Sequence, residues 1–469
     1  MNYPSVARVL ALLGLTLGAC MIGLAVLALS FGERPQTYSF LFSGLLTVTL
    51  AAVVIVLAGK PDRPARARDG LAVALIWYVG APIPAAIPFV FGTAESTIIP
   101  AIHEAVSCLT TTGHSVIAIE PGQWPTTLLI WRAILHLFGM VTGLVVAATV
   151  FAAVSLGGPG VHRSFLFTIP DGSFFDALPK VIRIVATVCG VLIVIVFSGL
   201  VIAGVDPATA LGHAVSIAST GLVDPQFAEI SYPNWQASMV VFVGLLVATA
   251  GLSILLDLAP SRLPRIAVDP ELILLLILVA AIGILAVISD LPVPEAFGWA
   301  VSALSTSGLP VFESQETIIS RLPPSLLILP ALIGGSALST AGGIKLARIF
   351  VLIRRAGQEF ARLGYQHSLV ALKFRDRLQK ERAVLGVWVY LIAYIGAATL
   401  TYVFLSFAGT GFDDAIRQSI GAISNSGWLV ATPEPHNVLQ HIVLSVSMLV
   451  GRLEVIAVLS ALSPSFWQR

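Results

Sequence analysis

Charge is what this sequence has least of. Only 11% of its 469 residues are Asp, Glu, Lys or Arg, where a soluble domain carries about a quarter. That excludes an ordinary water-soluble fold and leaves no basic surface for nucleic acid. Cysteine is nearly absent too. Cys20, Cys108 and Cys189 all fall in apolar segments, which excludes a disulfide framework or a spaced metal cluster. Neither Gly-x-Gly-x-x-Gly nor Gly-x-x-x-x-Gly-Lys occurs, so any nucleotide regulation must come from a separate subunit, and no cofactor is expected on this chain. What the chain has instead is apolar length. It is 57% hydrophobic, with apolar runs of about 20 residues along its whole course, the mark of a multispanning helical membrane protein. The first run, 9–31, is too long for a signal-peptide core and lacks a cleavage site, so it reads as a retained helix.

One string recurs. Ala105-Val106-Ser107-Cys108-Leu109-Thr110-Thr111-Thr112-Gly113 returns as His213-Ala214-Val215-Ser216-Ile217-Ala218-Ser219-Thr220-Gly221 and as Ala300-Val301-Ser302-Ala303-Leu304-Ser305-Thr306-Ser307-Gly308. A weaker copy is Ser419-Ile420-Gly421-Ala422-Ile423-Ser424-Asn425-Ser426-Gly427. A single Ser/Thr/Gly stretch between membrane helices is an ordinary loop or packing face. Four in register imply an internally repeated chain.

Around these strings the chain divides into a helical hairpin (9–31 and 38–59), a basic linker (60–68) and four units. Each unit has a long apolar helix, a short segment, the hydroxyl–glycine turn and a second long helix. The triplets are 71–91, 98–109 and 127–154; 181–204, 207–217 and 235–256; 272–288, 294–304 and 322–353; and 383–407, 413–423 and 438–462. The expected domains are 1–60, 61–155, 156–258, 259–355, a basic connector 356–382, and 383–469. The short segments cannot span a bilayer. Their length suits re-entrant helices, whose irregular ends survive at membrane depth only where they line a protein-buried or watery cavity. Asp206-Pro207 and Pro294-Glu295 supply helix-start signals. The expected fold is therefore an all-α membrane protein with four membrane–pore-helix–membrane repeats around a central pore, plus the N-terminal hairpin.

The sparse charge is one-sided. Arg8, the linker, Arg163, Lys180, Arg183, Arg262, Arg265, the 345–382 region and Arg469 share one side of this topology. They make up roughly 21 of the 26 basic residues, which the positive-inside rule places in the cytoplasm. Both termini are then cytoplasmic and the four turns face outward.

A dehydrated monovalent cation needs a ring of oxygens in place of its water, and extended backbone from converging segments supplies carbonyls. Glycine permits the dihedrals, hydroxyls add no charge, and a carboxylate ring would suit Ca²⁺ or Mg²⁺ better. The C-terminal ends of four short helices would add negative potential. A weakly hydrated ion such as K⁺ fits. Further on, Gly334-Gly335-Ser336-Ala337-Leu338-Ser339-Thr340-Ala341-Gly342-Gly343-Ile344-Lys345 breaks the last helix of the third unit with small residues. In the final helix, Arg452 and Glu454 are ionisable residues in an apolar segment, where such groups mark function.

Together these motifs resemble the Trk/Ktr/HKT superfamily of potassium transporters, most of all the bacterial Trk membrane subunit, over the whole chain. The resemblance implies a selectivity filter with Gly113, Gly221, Gly308 and Gly427 as its glycines. Thr110, Thr111, Thr112, Ala218, Ser219, Thr220, Ser305, Thr306, Ser307, Ser424, Asn425 and Ser426 precede them. K⁺ would be held by filter backbone carbonyls. It also implies an intramembrane gate below the filter, drawn from Gly334, Gly335, Ser336, Ser339, Thr340, Gly342, Gly343 and Lys345, with Arg452 nearby. A homodimer in the bacterial inner membrane and a cytoplasmic RCK-type nucleotide-binding partner are further implications. The sequence departs from the pattern at Gly221-Leu222, where two glycines are usual, at the glycine-poor fourth string, and at Ala341 in the gate.

His103 and Glu104 fall on the first short helix, His114 just after Gly113, and Arg132 and His136 on the helix that follows. His114 reads as a loop histidine or an outer-mouth pH sensor. The basic connector could meet anionic lipid or a regulatory subunit. A Na⁺- or H⁺-coupled symporter on the same scaffold is the main competing reading, and would draw on Glu104, Asp257 or Glu454. A hydrolase reading fails, because His213 and Ser216 have no acid or oxyanion partner in the sequence.

Overall fold

A computed structural model describes residues 1–59, 64–93, 97–117, 124–151, 174–176, 178–228, 232, 234–252, 269–364, 373–374, 377–378, 381–432 and 436–468. Asp257, Arg163, Arg262, Arg265, Arg469 and parts of both basic linkers lie outside them.

The hairpin forms from Tyr3–Phe31 and Arg34–Leu57. Asn2 caps the first helix by accepting from Ser5 N, and Gly32 ends it in the left-handed region. The two helices cross at Gly18 and Gly44, where a side chain on either glycine would meet the other's carbonyl oxygen at about 3 Å. Small residues at such a crossing let the backbones touch, which is how apolar helices gain contact in a solvent as oily as themselves.

The four short helices are Ile98–Leu109, Pro207–Ser219, Val293–Leu304 and Phe412–Ile423, within two residues of the expected bounds. Asp206 caps the second, accepting from Ala208 N at 3.0 Å and Thr209 N at 3.2 Å. The helices preceding them are Ala67–Gly80 running on into Pro82–Gly92, then Leu178–Ile202, Pro270–Ile288 and Glu381–Phe407. Neighbouring units pack in the order one, two, three, four and back to one, which closes a ring.

The second long helices depart from expectation. All four lose regular α-structure part-way, not the third alone. Thr126–Val146 passes into a π-helical turn, Ala147–Phe151. Trp235–Ala250 ends at Gly251 with φ of 89°. Pro324–Ile333 gives way to the glycine-rich loop before Leu346–Gly364 begins. Val438–Arg452 and Val455–Leu462 meet at a 102° bend, with Glu454 at φ 63°. A second bend, of 116°, separates Gln315–Arg321 from Pro324–Ile333. Backbone groups freed at such breaks need protein or water partners, so the four breaks point to a polar interior. Among the described residues seven helices are long and apolar enough to cross a membrane, or nine if each bent pair counts as one. The ten expected spans fall short by Trp235–Ala250, which has only 16 described residues. The basic connector holds a two-stranded hairpin, Lys373–Phe374 with Arg377–Leu378.

The chain ends meet. The Met1 ammonium donates to Gln468 O and Tyr3 Oη to Trp467 O, so both termini occupy one face of the bundle.

Candidate ion filter and gate

The four turns converge at the C-terminal ends of the short helices. Gly113 lies against Leu222, Gly308 against Trp428, and Gly427 N donates to Thr112 O at 3.1 Å. A Cβ on Gly113 would sit 2.3 Å from Leu222 N, and one on Gly427 2.3 Å from Thr112 O. Neither position admits a side chain without backbone movement. One residue per turn is left-handed although it is not glycine: Thr111, Thr220, Thr306 and Asn425, with φ of 57°, 55°, 60° and 54°. A β-branched residue there costs on the order of 1–3 kcal/mol, and such strain persists only where its surroundings enforce it.

These left-handed residues set the register, and they correct one sequence assignment. Thr111, Thr306 and Asn425 stand two residues before Gly113, Gly308 and Gly427, whereas Thr220 stands two before Leu222. The hydrogen bonds agree. Ser107 Oγ donates to His114 O and Ser302 Oγ to Leu309 O, seven residues on, and Ser216 Oγ accepts from Val223 N, again seven on. Gly221 therefore matches Thr112, Ser307 and Ser426, and Leu222 occupies the fourth glycine position. Aligning the strings on their final glycine hid the shift, because the second copy is one residue shorter between its serine and its glycine. Leu222 is tolerated since φ is positive at Gly113 and Gly308 but not at this position.

The hydroxyls brace the turns from behind. Thr110 pairs with Thr112 and Ser305 with Ser307, each at 2.8 Å, and Ser424 with Ser426 at 3.1 Å. With Gly221 in place of a hydroxyl, Ser219 Oγ turns instead to His136 Nδ1 at 3.4 Å. Asn425 Nδ2 ties the fourth turn to Thr112 Oγ1 and to Met448 O. These hydroxyls are thus engaged within the protein, as are the carbonyls of Thr112, Ala218 and Ser219.

Carbonyls at the glycine position and just after it are held by buried side chains. Arg132, fully buried, donates to Val223 O at 2.6 Å, Leu222 O at 3.3 Å and Gly113 O at 3.4 Å, and forms an ion pair with the fully buried Glu104. Glu104 also accepts from Val116 N. Gln315 Nε2 donates to Gly308 O. Sequence reading named Arg132 and Glu104 without pairing them and missed Gln315. The pair sits 28 residues apart in sequence, too far for any helical spacing to suggest it.

Below the turns lies the loop joining Ile333 to Leu346. Gly342 N donates to Thr306 Oγ1 at 2.9 Å, Thr340 Oγ1 donates to Ala218 O at 3.1 Å, and a Cβ on Gly342 would overlap Ser424 O. The loop touches the second, third and fourth turns from beneath. Ser336 N is anchored on Thr249 O, Ala337 N on the Glu271 carboxylate, and the Lys345 ammonium on the carbonyls of Ser339 and Ala341. Arg452 completes the ring. Its Nη1 donates to Thr340 O at 2.8 Å and its Nη2 to Gly139 O at 3.0 Å. A cavity of about 40 Å³ remains between Gly342, Lys345, Asn425, Gly451 and Arg452, room for water beside polar groups. Glu454 does not pair with Arg452. It binds Arg348, whose guanidinium lies 3.8 Å over the Tyr390 ring, a pairing that sequence reading also missed.

A histidine group borders the first and fourth turns. His103 Nε2 and His114 Nδ1 are 3.1 Å apart, and the rings of His103, His114, His436 and His441 form a square with sides of 5.2–5.6 Å. His114 is buried, not a solvated loop residue.

No protein-family model matches the chain. Relatives match it from end to end. The Trk system potassium uptake protein TrkH of Escherichia coli K12 is 26% identical over 495 residues, covering 100% of both chains. TrkH of Halomonas elongata is 25% identical with the same coverage, and TrkG of Escherichia coli K12 is 24% identical over 86% of each chain. The chain is a homologue of the Trk potassium uptake proteins. Its fold is that of the crystal structure of the potassium transporter TrkH from Vibrio parahaemolyticus, with a TM-score of 0.86, 22% identity and full coverage of both chains. This Trk homologue is a multispanning all-helical membrane protein with four repeats, as its sequence indicated.

Proposed function

We propose that this protein takes up K⁺ passively, through a filter made of the backbone carbonyls of the four turns. The loop 334–345 gates that filter from below. One observation carries the reading: four equivalent left-handed residues converge directly above a glycine-rich loop that Arg452 holds against them. Carbonyls in such a ring replace a hydration shell, and their number and spacing favour one ion over another. The relatives' printed names, potassium uptake proteins of a Trk system, supply the ion and the direction.

The coupled-symport alternative is not favoured. Glu104 is committed to Arg132, Glu454 to Arg348, and Glu271 to Ala337 N, so these acids are already occupied by protein partners. In this reading the protein resides in the bacterial inner membrane with both termini in the cytoplasm, works as a homodimer, and meets a cytoplasmic RCK-type nucleotide-binding subunit. The names of the relatives as parts of a system support a regulatory partner.

A cation competition series (K⁺, Rb⁺, Na⁺, Li⁺) on purified protein in liposomes tests the proposal. K⁺ and Rb⁺ should carry most flux and compete with each other. Flux that follows Na⁺ or Li⁺ equally, or a reversal potential tracking a second ion's gradient, would count against a passive K⁺ pathway.

A further inference from the structure

A second cavity lies away from the ion path. It measures about 330 Å³, within the range of small-molecule pockets. It is walled by Leu13 of the hairpin, Trp77 and Tyr78 of the first unit's opening helix, and Phe138 and Val145 of the helix after the first turn. Its hydroxyls are already engaged. Thr16 Oγ1 donates to Leu13 O, Thr142 Oγ1 to Phe138 O, Thr149 Oγ1 to Val145 O, and Tyr78 Oη to Gly139 O. The walls offer hydrocarbon contact and one free donor, Trp77 Nε1, which is buried without a partner among the described residues.

Part of the lining lies towards the face where the termini meet, in segments that carry Arg8, Arg66, Lys180 and Arg183 against the two carboxylates of Asp69 and Asp176. Val9, Leu178 and Ile182 form that part, in the same helical turns as Arg8, Lys180 and Arg183. Two hydrogen bonds hold these segments side by side: Asn2 N to Asp69 Oδ1 at 2.8 Å, and Phe174 N to Ala65 O at 2.9 Å. The second brings Arg66 to the same rim. Arg66, Lys180 and Arg183 are exposed, and none of these four residues forms an ion pair among the described residues.

We propose that this is a binding site for an anionic phospholipid, with an acyl chain in the cavity and the phosphate on the rim formed by Arg8, Arg66, Lys180 and Arg183. Charge selects the occupant. A zwitterionic headgroup brings its own cation to a rim of four, whereas a net-negative headgroup gains from each Lys or Arg near it. The site touches the gate through one atom. Gly139 O accepts both from Tyr78 Oη, in the cavity wall, and from Arg452 Nη2, which holds the gate loop. A chain that fills the cavity presses on Tyr78 and on the helix carrying Gly139, and so acts on Arg452. This second step rests on the filter-and-gate reading; the binding step does not.

Native mass spectrometry of the full-length protein, with phosphatidylglycerol or phosphatidylcholine added, tests binding. The wild type should retain phosphatidylglycerol preferentially. The double variant Lys180→Gln/Arg183→Gln, at the surface, should lose about fivefold or more of that retention, and Val145→Trp should exclude the chain. Equal retention of both lipids, or retention unchanged in the surface double variant, would overturn the site. So would Val145→Trp converting a dimer to a monomer, which would assign the cavity to a second copy of the chain. K⁺ flux in vesicles with and without phosphatidylglycerol tests the coupling: wild-type flux should change with the lipid and the double variant's should not. A wild-type flux indifferent to phosphatidylglycerol, with binding intact, would overturn the link to the gate.

Discussion

Arg452 reaches across the bundle to Gly139, its Nη2 3.0 Å from that carbonyl while its Nη1 lies 2.8 Å from Thr340 O. One guanidinium joins the helix behind the first turn to the loop beneath the other three. Each charge-assisted hydrogen bond contributes roughly 1.5–3 kcal/mol. Losing the Thr340 contact alone should therefore shift the loop's equilibrium about tenfold or more. Arg452→Gln is expected to raise basal K⁺ flux in liposomes several-fold. Flux equal to or below wild type would show that Arg452 does not hold the loop shut.

How much of this was visible in the sequence depends on the distance over which each signal acts. The short helices end on hydroxyl–glycine strings of fixed local chemistry, so their bounds emerge within two residues. Asp206 before Pro207 is a local cap, and the structure uses it as one. The break at Gly334 is written in small residues. The break at Glu454 is not, because an acid with φ of 63° inside an apolar run carries no turn signal of its own. It is stabilised by Arg348, 106 residues away. The Leu222 register was equally hidden. The strings align on glycine by eye, while the backbone aligns on the left-handed residue, and only hydrogen bonds between the serines and the residues seven on decide between them.

That register makes a contrast testable. Gly113 has φ of 78° and no room for a Cβ, with Leu222 N 2.3 Å away. Leu222 has an ordinary φ and a side chain that is 5% exposed in the core. Gly113→Ala should abolish K⁺ uptake in a transport-deficient bacterium. Leu222→Ala should retain uptake while losing stability by about 2–5 kcal/mol, the usual cost of a buried leucine truncation. Comparable loss of uptake in both variants, with both proteins present in the membrane, would contradict the assignment.

The Glu104–Arg132 pair is fully buried behind the first two turns. Breaking one member of a buried pair leaves an uncompensated charge and costs about 3–5 kcal/mol. Glu104→Gln should lower the melting temperature of the detergent-solubilised protein markedly. Arg132→Met combined with Glu104→Gln should restore much of that stability without restoring K⁺ uptake, because the carbonyls of Gly113 and Leu222 lose their donor. Recovery of uptake in the double variant would show that the pair only fills space.

In the proposed orientation, with the termini in the cytoplasm, external pH should act through the histidine square. His436 lies in the loop before the last long helix, and burial together with the nearby His441 and Arg417 lowers its pKa to about 4. It is neutral at pH 7, with His103, His114 and His441 arranged around it. The unfolded histidine titrates near 6.5, so between these values the unfolded chain binds more protons. The contribution to stability is complete above about pH 6.5 and is lost as pH falls towards 4. In the folded protein the charge develops only as pH approaches 4, and it then lies against His114, the residue after Gly113, where it repels an entering cation. K⁺ uptake should therefore hold from pH 7 to about 5 and fall as external pH approaches 4, and His436→Gln should flatten that fall. An acid inhibition curve identical in wild type and His436→Gln would remove His436 from the entry path.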